Sequence, residues 1–471
     1  MANLFDRAGM SSATTGSGTL TLGAALGAVA PNLAAFLPFA GAGVADQNIV
    51  SYLILDADGN WETGWGVYTA SGTTLTRNVT KSSNSNAAIT LSGNAQVFIT
   101  ARAEDLATVE ALASANIFIN GGMEVSQETV GGTVINIANN GQPYIVDCVQ
   151  ASYSTGGSLA ISAQQVTPPG SPAFGAQLPL ALQLKATTGA AMGAGDVVQI
   201  KVNLEGNRVS RLGFGSANAQ AVTVGFWAYA TIAGTMAVML SNSANNRCYV
   251  ANVTINSATT WEWKTVTIPG DTTGTWSRDN SIGLKLFFVF GVGTSLQGTA
   301  NTWSSTFVFG TSSTTNFFAT TNNVVCLTGA ALLPGSHQIS QEQSANLQRP
   351  FVETLKLCQR YYEKSYDYGT AVQTATTNGA SIFVMQGLPT AAYLVTQQVY
   401  LKAKKRVDPL VTYFSTAAPG NAGKARDASN GADVGAGTSA VGEDSFLWNA
   451  TMSAAQTTAN LQVHWTADAR M

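Results

Sequence analysis

Apolar and polar residues alternate along much of the middle of the chain with a period of two, the pattern of strands that bury one face. Val198, Ile200 and Val202 alternate with Gln199, Lys201 and Asn203, and Val222, Val224 and Phe226 alternate with Thr223 and Gly225. Tyr249, Ala251, Val253 and Ile255 continue the pattern, as do Ile282, Leu284, Leu286, Phe288 and Phe290. Turn signals such as Pro269-Gly270-Asp271 and Asp279-Asn280 separate the runs, and Asp58-Gly59 marks a hairpin between Tyr52–Leu55 and Trp61. The expected fold class is all-β, with tandem β domains around a central jelly roll or β-sandwich.

Helical periodicity is scarce. Leu347, Phe351, Leu355 and Cys358 recur at spacings of three and four, which predicts one short helix near 350–363 with Pro350 in its first turn. A second short helix, near Ala103–Ala113, reads as a connector. Heptads, a Gly-X-Y tract and repeats of about 20–50 residues are absent. The breaks divide the chain into a β domain at 1–110, the sandwich at 115–340, a helical connector at 341–363 and a carboxy-terminal β domain at 364–471. Gln165–Gly170 reads as a long loop inside the sandwich.

Composition narrows the function. Charged residues are 10 % of the 471, against about 25 % for an ordinary soluble protein, while the apolar fraction is 45 % and Gly alone contributes 47. The surface is therefore polar through hydroxyls and amides. A net charge of −3 argues against nucleic acid and anionic membrane as partners. The cluster Lys402, Lys404, Lys405 and Arg406 reads as a solvated strand edge. Cys148, Cys248, Cys326 and Cys358 lack CxxC spacing and nearby histidines, so they read as isolated thiols, with no metal and no cofactor expected. Leu20–Ala45 is broken by Pro31, Asn32 and Pro38 and makes a poor membrane span; no secretory signal is read, so synthesis in the cytoplasm is expected.

Candidate chemistry is thin. His337 and His464 are the two histidines, and no nucleophile elbow surrounds a serine or cysteine, so a hydrolytic triad is not expected. A glycosidase needs two carboxylates, for which Glu124 with Glu128 and Asp271 with Asp279 are the candidates. Asp56–Asn60 imitates a calcium loop, but Val67 stands where the bidentate Glu belongs. Aromatics remain: Trp227, Tyr229, Trp261, Trp276 and Trp303 are candidate sugar platforms, because a flat ring with a polar edge stacks on the apolar face of a sugar. The competing reading places these rings in the core.

Met1–Met10, Gly64-Trp65-Gly66-Val67-Tyr68, Leu75-Thr76-Arg77 and the runs Lys81–Asn86 and Gln96–Thr100 resemble the amino-terminal attachment domain of tailed-bacteriophage fibre and spike proteins. Phe226–Tyr229, Trp261–Asp271 and Gly274-Thr275-Trp276 are similar to the carbohydrate-binding-like jelly roll of such fibres. Arg349-Pro350-Phe351, Leu357-Cys358-Gln359-Arg360-Tyr361-Tyr362-Glu363-Lys364 and Trp465–Arg470 complete the likeness. Leu332–His337 departs from it, since a Gln-Leu-Glu before Gly is expected there and the glutamate is missing.

The resemblance implies a virion structural protein on the exterior of a phage or phage-like particle. Residues 1–110 would dock to tail or capsid proteins, the jelly roll would bind host surface polysaccharide, and the last domain would form the distal tip. It also implies a homo-oligomer, a homotrimer being the commoner fibre symmetry and a pentamer suiting a capsid vertex. No enzyme is expected. The rivals are a tailspike-like depolymerase using Glu124 or Asp271, and a structural adaptor that binds no ligand.

Overall fold

The alternation in the middle of the chain becomes two facing sheets in the computed structural model, which describes residues 5–28, 33–101, 114–170, 172–337, 339–341, 343–417 and 420–471. The expected helix near Ala103–Ala113 lies outside the described residues. The chain is all-β and divides into two compact units, 1–112 with 338–340, and 113–337 with 341–471.

The first unit is built on a seven-stranded antiparallel sheet whose centre is the hairpin Ile49–Asp56 and Trp61–Thr69, closed in register at Leu55 and Trp61. The hairpin turns at Gly59, whose φ of 80° suits glycine, as the Asp58-Gly59 pair predicts. Val50, Tyr52, Ile54, Leu75 and Val97 fill its core. Arg77 of the Leu-Thr-Arg motif is buried against Glu62, with Nε 2.7 Å from Oε1, and the Tyr52 hydroxyl donates to the same oxygen at 3.0 Å.

In the second unit a six-stranded sheet contains Ala160–Val166, Ala181–Thr188, Val324–Pro334, Val222–Ala230 and Glu262–Ile268. The facing seven-stranded sheet contains Val149–Ser154, Val197–Glu205, Ile282–Val292, Gly234–Ser241 and Cys248–Ile255. Their inner residues, among them Ile200, Val202, Phe226, Leu286, Phe288 and Leu327, form one continuous core. The turn signal at Asp279-Asn280 leads into Ile282–Val292.

The predicted helix is Phe351–Gln359, entered directly after Pro350. It ends earlier than its periodicity suggests, because Tyr362–Lys364 is already a strand, paired with Gln456–Asp468. That 13-residue strand is the spine of a terminal sheet, pairing also with Ser381–Ala391, Leu410–Ser415 and Lys424–Asp427 over a core of Trp448, Leu461, Val463 and Trp465. The terminal sheet and the sandwich belong to the same compact unit.

Candidate functional site

On the outer face of the seven-stranded sheet, strand Val197–Glu205 presents the residues that alternate with its core positions. Register places Gln150 beside Lys201, Ser152 beside Gln199, and Asn203 beside Lys285. From Phe287 on the adjacent strand, opposite Lys201, the same face turns apolar through Met239 and Val250 on the next two strands, and Leu296, Phe307, Val308 and Phe309 roof it. The polar half forms a lane of amides and ammonium groups.

Three amides in this lane are incompletely paired. Gln150 Nε2 donates to the Gln142 carbonyl (3.1 Å), Gln199 Nε2 to Ser152 Oγ (3.1 Å) and Asn203 Nδ2 to the Met471 carbonyl (2.9 Å). Each side chain is more than nine-tenths buried, and each amide oxygen accepts nothing among the described residues. A buried acceptor without a donor costs about 1–3 kcal/mol, so the three oxygens form a row of unmet acceptors on one face. Lys201 donates to Gln142 Oε1 at 3.2 Å, and Lys285 to the Ser243 carbonyl and Asn245 Oδ1 at 2.8 and 2.7 Å. Burial lowers the pKa of both lysines, and Lys201 lowers that of Lys285 further.

The five candidate aromatics lie elsewhere, in two nests. Trp227 and Tyr229 alternate with Phe226 and Ala228 and therefore point away from the core, onto the outer face of the six-stranded sheet. There the loop after Val166, with Phe174 and Leu178, covers them. Trp227 is fully buried, donates Nε1 to Ser344 Oγ at 2.8 Å and meets Phe174 edge-on with centroids 4.9 Å apart. Trp261 donates to the Pro169 carbonyl at 2.8 Å and packs on Phe174 and Tyr229. In the second nest Trp276 lies between Phe214 and Trp303 at 4.9 and 5.7 Å. Trp303 is half-buried, donates to the Pro269 carbonyl at 2.9 Å and lies 6.0 Å below the Arg247 guanidinium. Of the five, Trp303 offers the most ring surface to solvent.

The carboxylate candidates are largely engaged. Asp271 receives both Arg247 Nε and Nη2 at 2.7 Å; burial raises its pKa, but those bonds outweigh it and hold the carboxyl below its usual range. Glu128 pairs with Arg470, and Asp279 binds the Ser281 amide and hydroxyl. Glu124 has its pKa raised by burial. His464 is fully buried, stacks on Tyr366 at 3.7 Å, and is held by Ser365 Oγ at 2.9 Å and the Thr376 carbonyl at 3.0 Å. His337 Nε2 lies 2.7 Å from the Pro334 carbonyl. Among the described residues no three or more His, Cys, Asp or Glu group to hold a metal, and no helix is long and apolar enough to cross a membrane.

Residues expected to be isolated or solvated are not always so. Cys148 and Cys358, 210 positions apart, bring their sulfurs to 4.0 Å as free thiols. Lys405, expected on a solvated edge, is fully buried: its Nζ lies 2.5 Å from both Glu363 Oε2 and the Gln359 carbonyl.

No protein-family model matches the chain, and no curated protein matches it. Solved structures with a similar arrangement include the enzymatically active domain of bacteriophage CBA120 tailspike protein 4, at 9 % identity and TM-score 0.26, covering 47 % of this chain and 22 % of the tailspike chain. TmCBM61, solved with β-1,4-galactotriose, shows 13 % identity and TM-score 0.23 over 46 % of this chain and 98 % of its own. A family 11 carbohydrate-binding module of a Clostridium thermocellum cellulosomal cellulase shows 13 % identity and TM-score 0.22 over 45 % and 98 %. At such scores a functional reading has to come from this chain's own residues.

Proposed function

We propose that this protein is a non-enzymatic glycan-binding fibre on the exterior of a phage or phage-like particle, with the amide lane of its sandwich as the sugar contact. The observation that carries the reading is the row of Gln150, Gln199 and Asn203 amide oxygens, buried on one sheet face without donors. Sugar hydroxyls are such donors, and a lane of neutral amides binds them without desolvating a carboxylate. The low overall charge supports repeated reversible contact with polysaccharide. The engagement of Asp271 by Arg247 and of Glu128 by Arg470 favours adhesion over hydrolysis. The fibre assignment rests on the sequence motifs, with residues 1–110 as the virion dock and the terminal sheet as the tip. Self-association, a trimer first, fits the exposed Ile382, Val384, Leu394, Tyr400 and Leu410 of the terminal sheet.

Gln199→Leu with Gln150→Leu tests the lane. Each change also removes the bond that the amide donates, to Ser152 Oγ or to the Gln142 carbonyl, so binding is compared at a temperature where the melting curve shows the variant folded. Binding of purified protein to host cells and extracted surface polysaccharide should fall at least tenfold; binding equal to wild type removes the lane from the reading. Antiserum to the protein should block particle adsorption, and unchanged adsorption overturns the fibre role.

A further inference from the structure

A second polar site lies where the chain enters the sandwich. A cavity of about 450 Å³ is bounded by Ser114, Asn207, Arg208, Arg211 and Arg349, and no carboxylate lines it among the described residues. The three guanidiniums hold residues 115–118, which start at a helical end, by their carbonyls: Arg208 donates to Ile117 at 3.2 Å, Arg211 to Ala115 at 2.5 Å, and Arg349 to Phe118 at 3.3 Å and to Asn116. Arg208 Nε is buried and donates to nothing among the described residues. Three like charges around one space repel, and no ion pair among the described residues offsets them. Burial, with Arg208 and Arg211 as neighbours, pushes Arg349 down to about 10; the exposed Glu353 opposes this. Among the described residues, three guanidiniums less one carboxylate leave a local charge of +2.

We propose that this cavity binds a tetrahedral dianion of the phosphate class, free or as an ester, with Arg208 and Arg211 as its principal contacts. A dianion matches the +2 excess, and guanidinium forks match its oxygens better than an ammonium would. Arg349 positions the segment that floors the site. The argument is independent of the amide lane, which lies on the outer sheet face and bears no arginine.

The test is calorimetric titration of the full chain with inorganic phosphate and, separately, with glucose 6-phosphate, at low ionic strength held constant with chloride. One equivalent of either should bind per chain. Arg211→Gln, which alters an exposed side chain with one backbone bond, should weaken binding at least tenfold, and Arg208→Gln with Arg211→Gln should abolish it. An ester that binds tenfold tighter than phosphate assigns the site to a phosphorylated glycan; equal binding assigns it to the free ion. No heat with either ligand, or variants that bind like wild type while keeping the wild-type melting temperature, overturns the site.

Discussion

Arg360 lays its guanidinium along the carboxylate of Glu205, Nη2 to Oε1 at 2.6 Å and Nε to Oε2 at 2.9 Å, joining the end of the helix to the end of a sandwich strand 155 residues earlier. Glu205 is 1 % exposed and also accepts the Tyr361 hydroxyl at 2.9 Å. Around this pair the stretch Cys358–Lys364 works as a joint. Gln127 Nε2 reaches the Tyr362 carbonyl at 2.7 Å, and the Arg470 guanidinium sits 4.5 Å over the Tyr362 ring. The stretch Cys358–Lys364 thus couples the helix and the terminal sheet to the sandwich.

Arg360→Ala should therefore destabilise the second unit. Glu205 would keep a buried charge with a single hydroxyl donor, and because Arg360 is partly exposed the expected loss is about 2–3 kcal/mol, below the full cost for a sealed pair. Adding Glu205→Gln should recover most of it. Urea unfolding of the two variants and their double measures the coupling; additive losses would show that the pair holds nothing together.

The Glu363–Lys405 pair is more enclosed, since both side chains are fully out of solvent. Glu363 additionally accepts the Lys402 amide at 3.0 Å. Lys405→Ala should cost about 3–5 kcal/mol by stranding that carboxylate, whereas Lys405→Met with Glu363→Gln should lie close to wild type. Thermal unfolding followed by near-ultraviolet dichroism reports the difference, and a silent Lys405→Ala would mean that water reaches the pair.

Asp147 ties stability to pH. It is buried and pushed up to about 6, first by desolvation, even though the Gln127 amide at 2.9 Å and Nε2 at 2.5 Å favour its charged form. Below about pH 4 the carboxyl is neutral in both folded and unfolded chains. Between there and pH 6 the unfolded chain releases the proton while the folded one keeps it, so stability falls as pH rises, by about 2–3 kcal/mol in all. Asp147→Asn loses a partner for Gln127 and starts from lower stability, but its pH profile should lack this drop. Parallel profiles for the two proteins from pH 4 to 7 would refute the assignment.

Much of the fold was legible because a period of two is a local property. Ile200 and Val202 point inward and Gln199, Lys201 and Asn203 outward, as their alternation requires. What alternation cannot reveal is whether an outward face is open. Gln199 looks like a solvated strand residue until Ser152, 47 residues earlier and on the neighbouring strand of the sheet, accepts its amide hydrogen and leaves the oxygen without a donor among the described residues. Asn203 depends on the carbonyl of Met471, 268 residues on. Lys405 looked solvated for the same reason: Glu363 is 42 residues away and nothing local announces the pair. Trp227 and Tyr229 were readable as outward-facing, but the roof that covers them comes from residues 166–178.

That roof leads to the prediction that best separates the two faces of the sandwich. Strand Val324–Pro334 carries a bulge opposite Gly225–Trp227, and Gly329 within it has φ 62°. A Cβ there would stand 2.8 Å from Leu178 Cδ1 and 2.9 Å from Trp227 Cδ1, so Gly329→Ala combines a left-handed backbone with a clash against the indole. The expected cost is about 2 kcal/mol or more. Trp227→Phe removes the indole bond to Ser344 and should cost about 1–2 kcal/mol. Because both changes lie on the face opposite Gln150, Gln199 and Asn203, neither should alter polysaccharide binding by folded protein at low temperature. If Trp227→Phe abolishes binding while the fold persists, the sugar contact belongs to the aromatic face and the amide lane is structural.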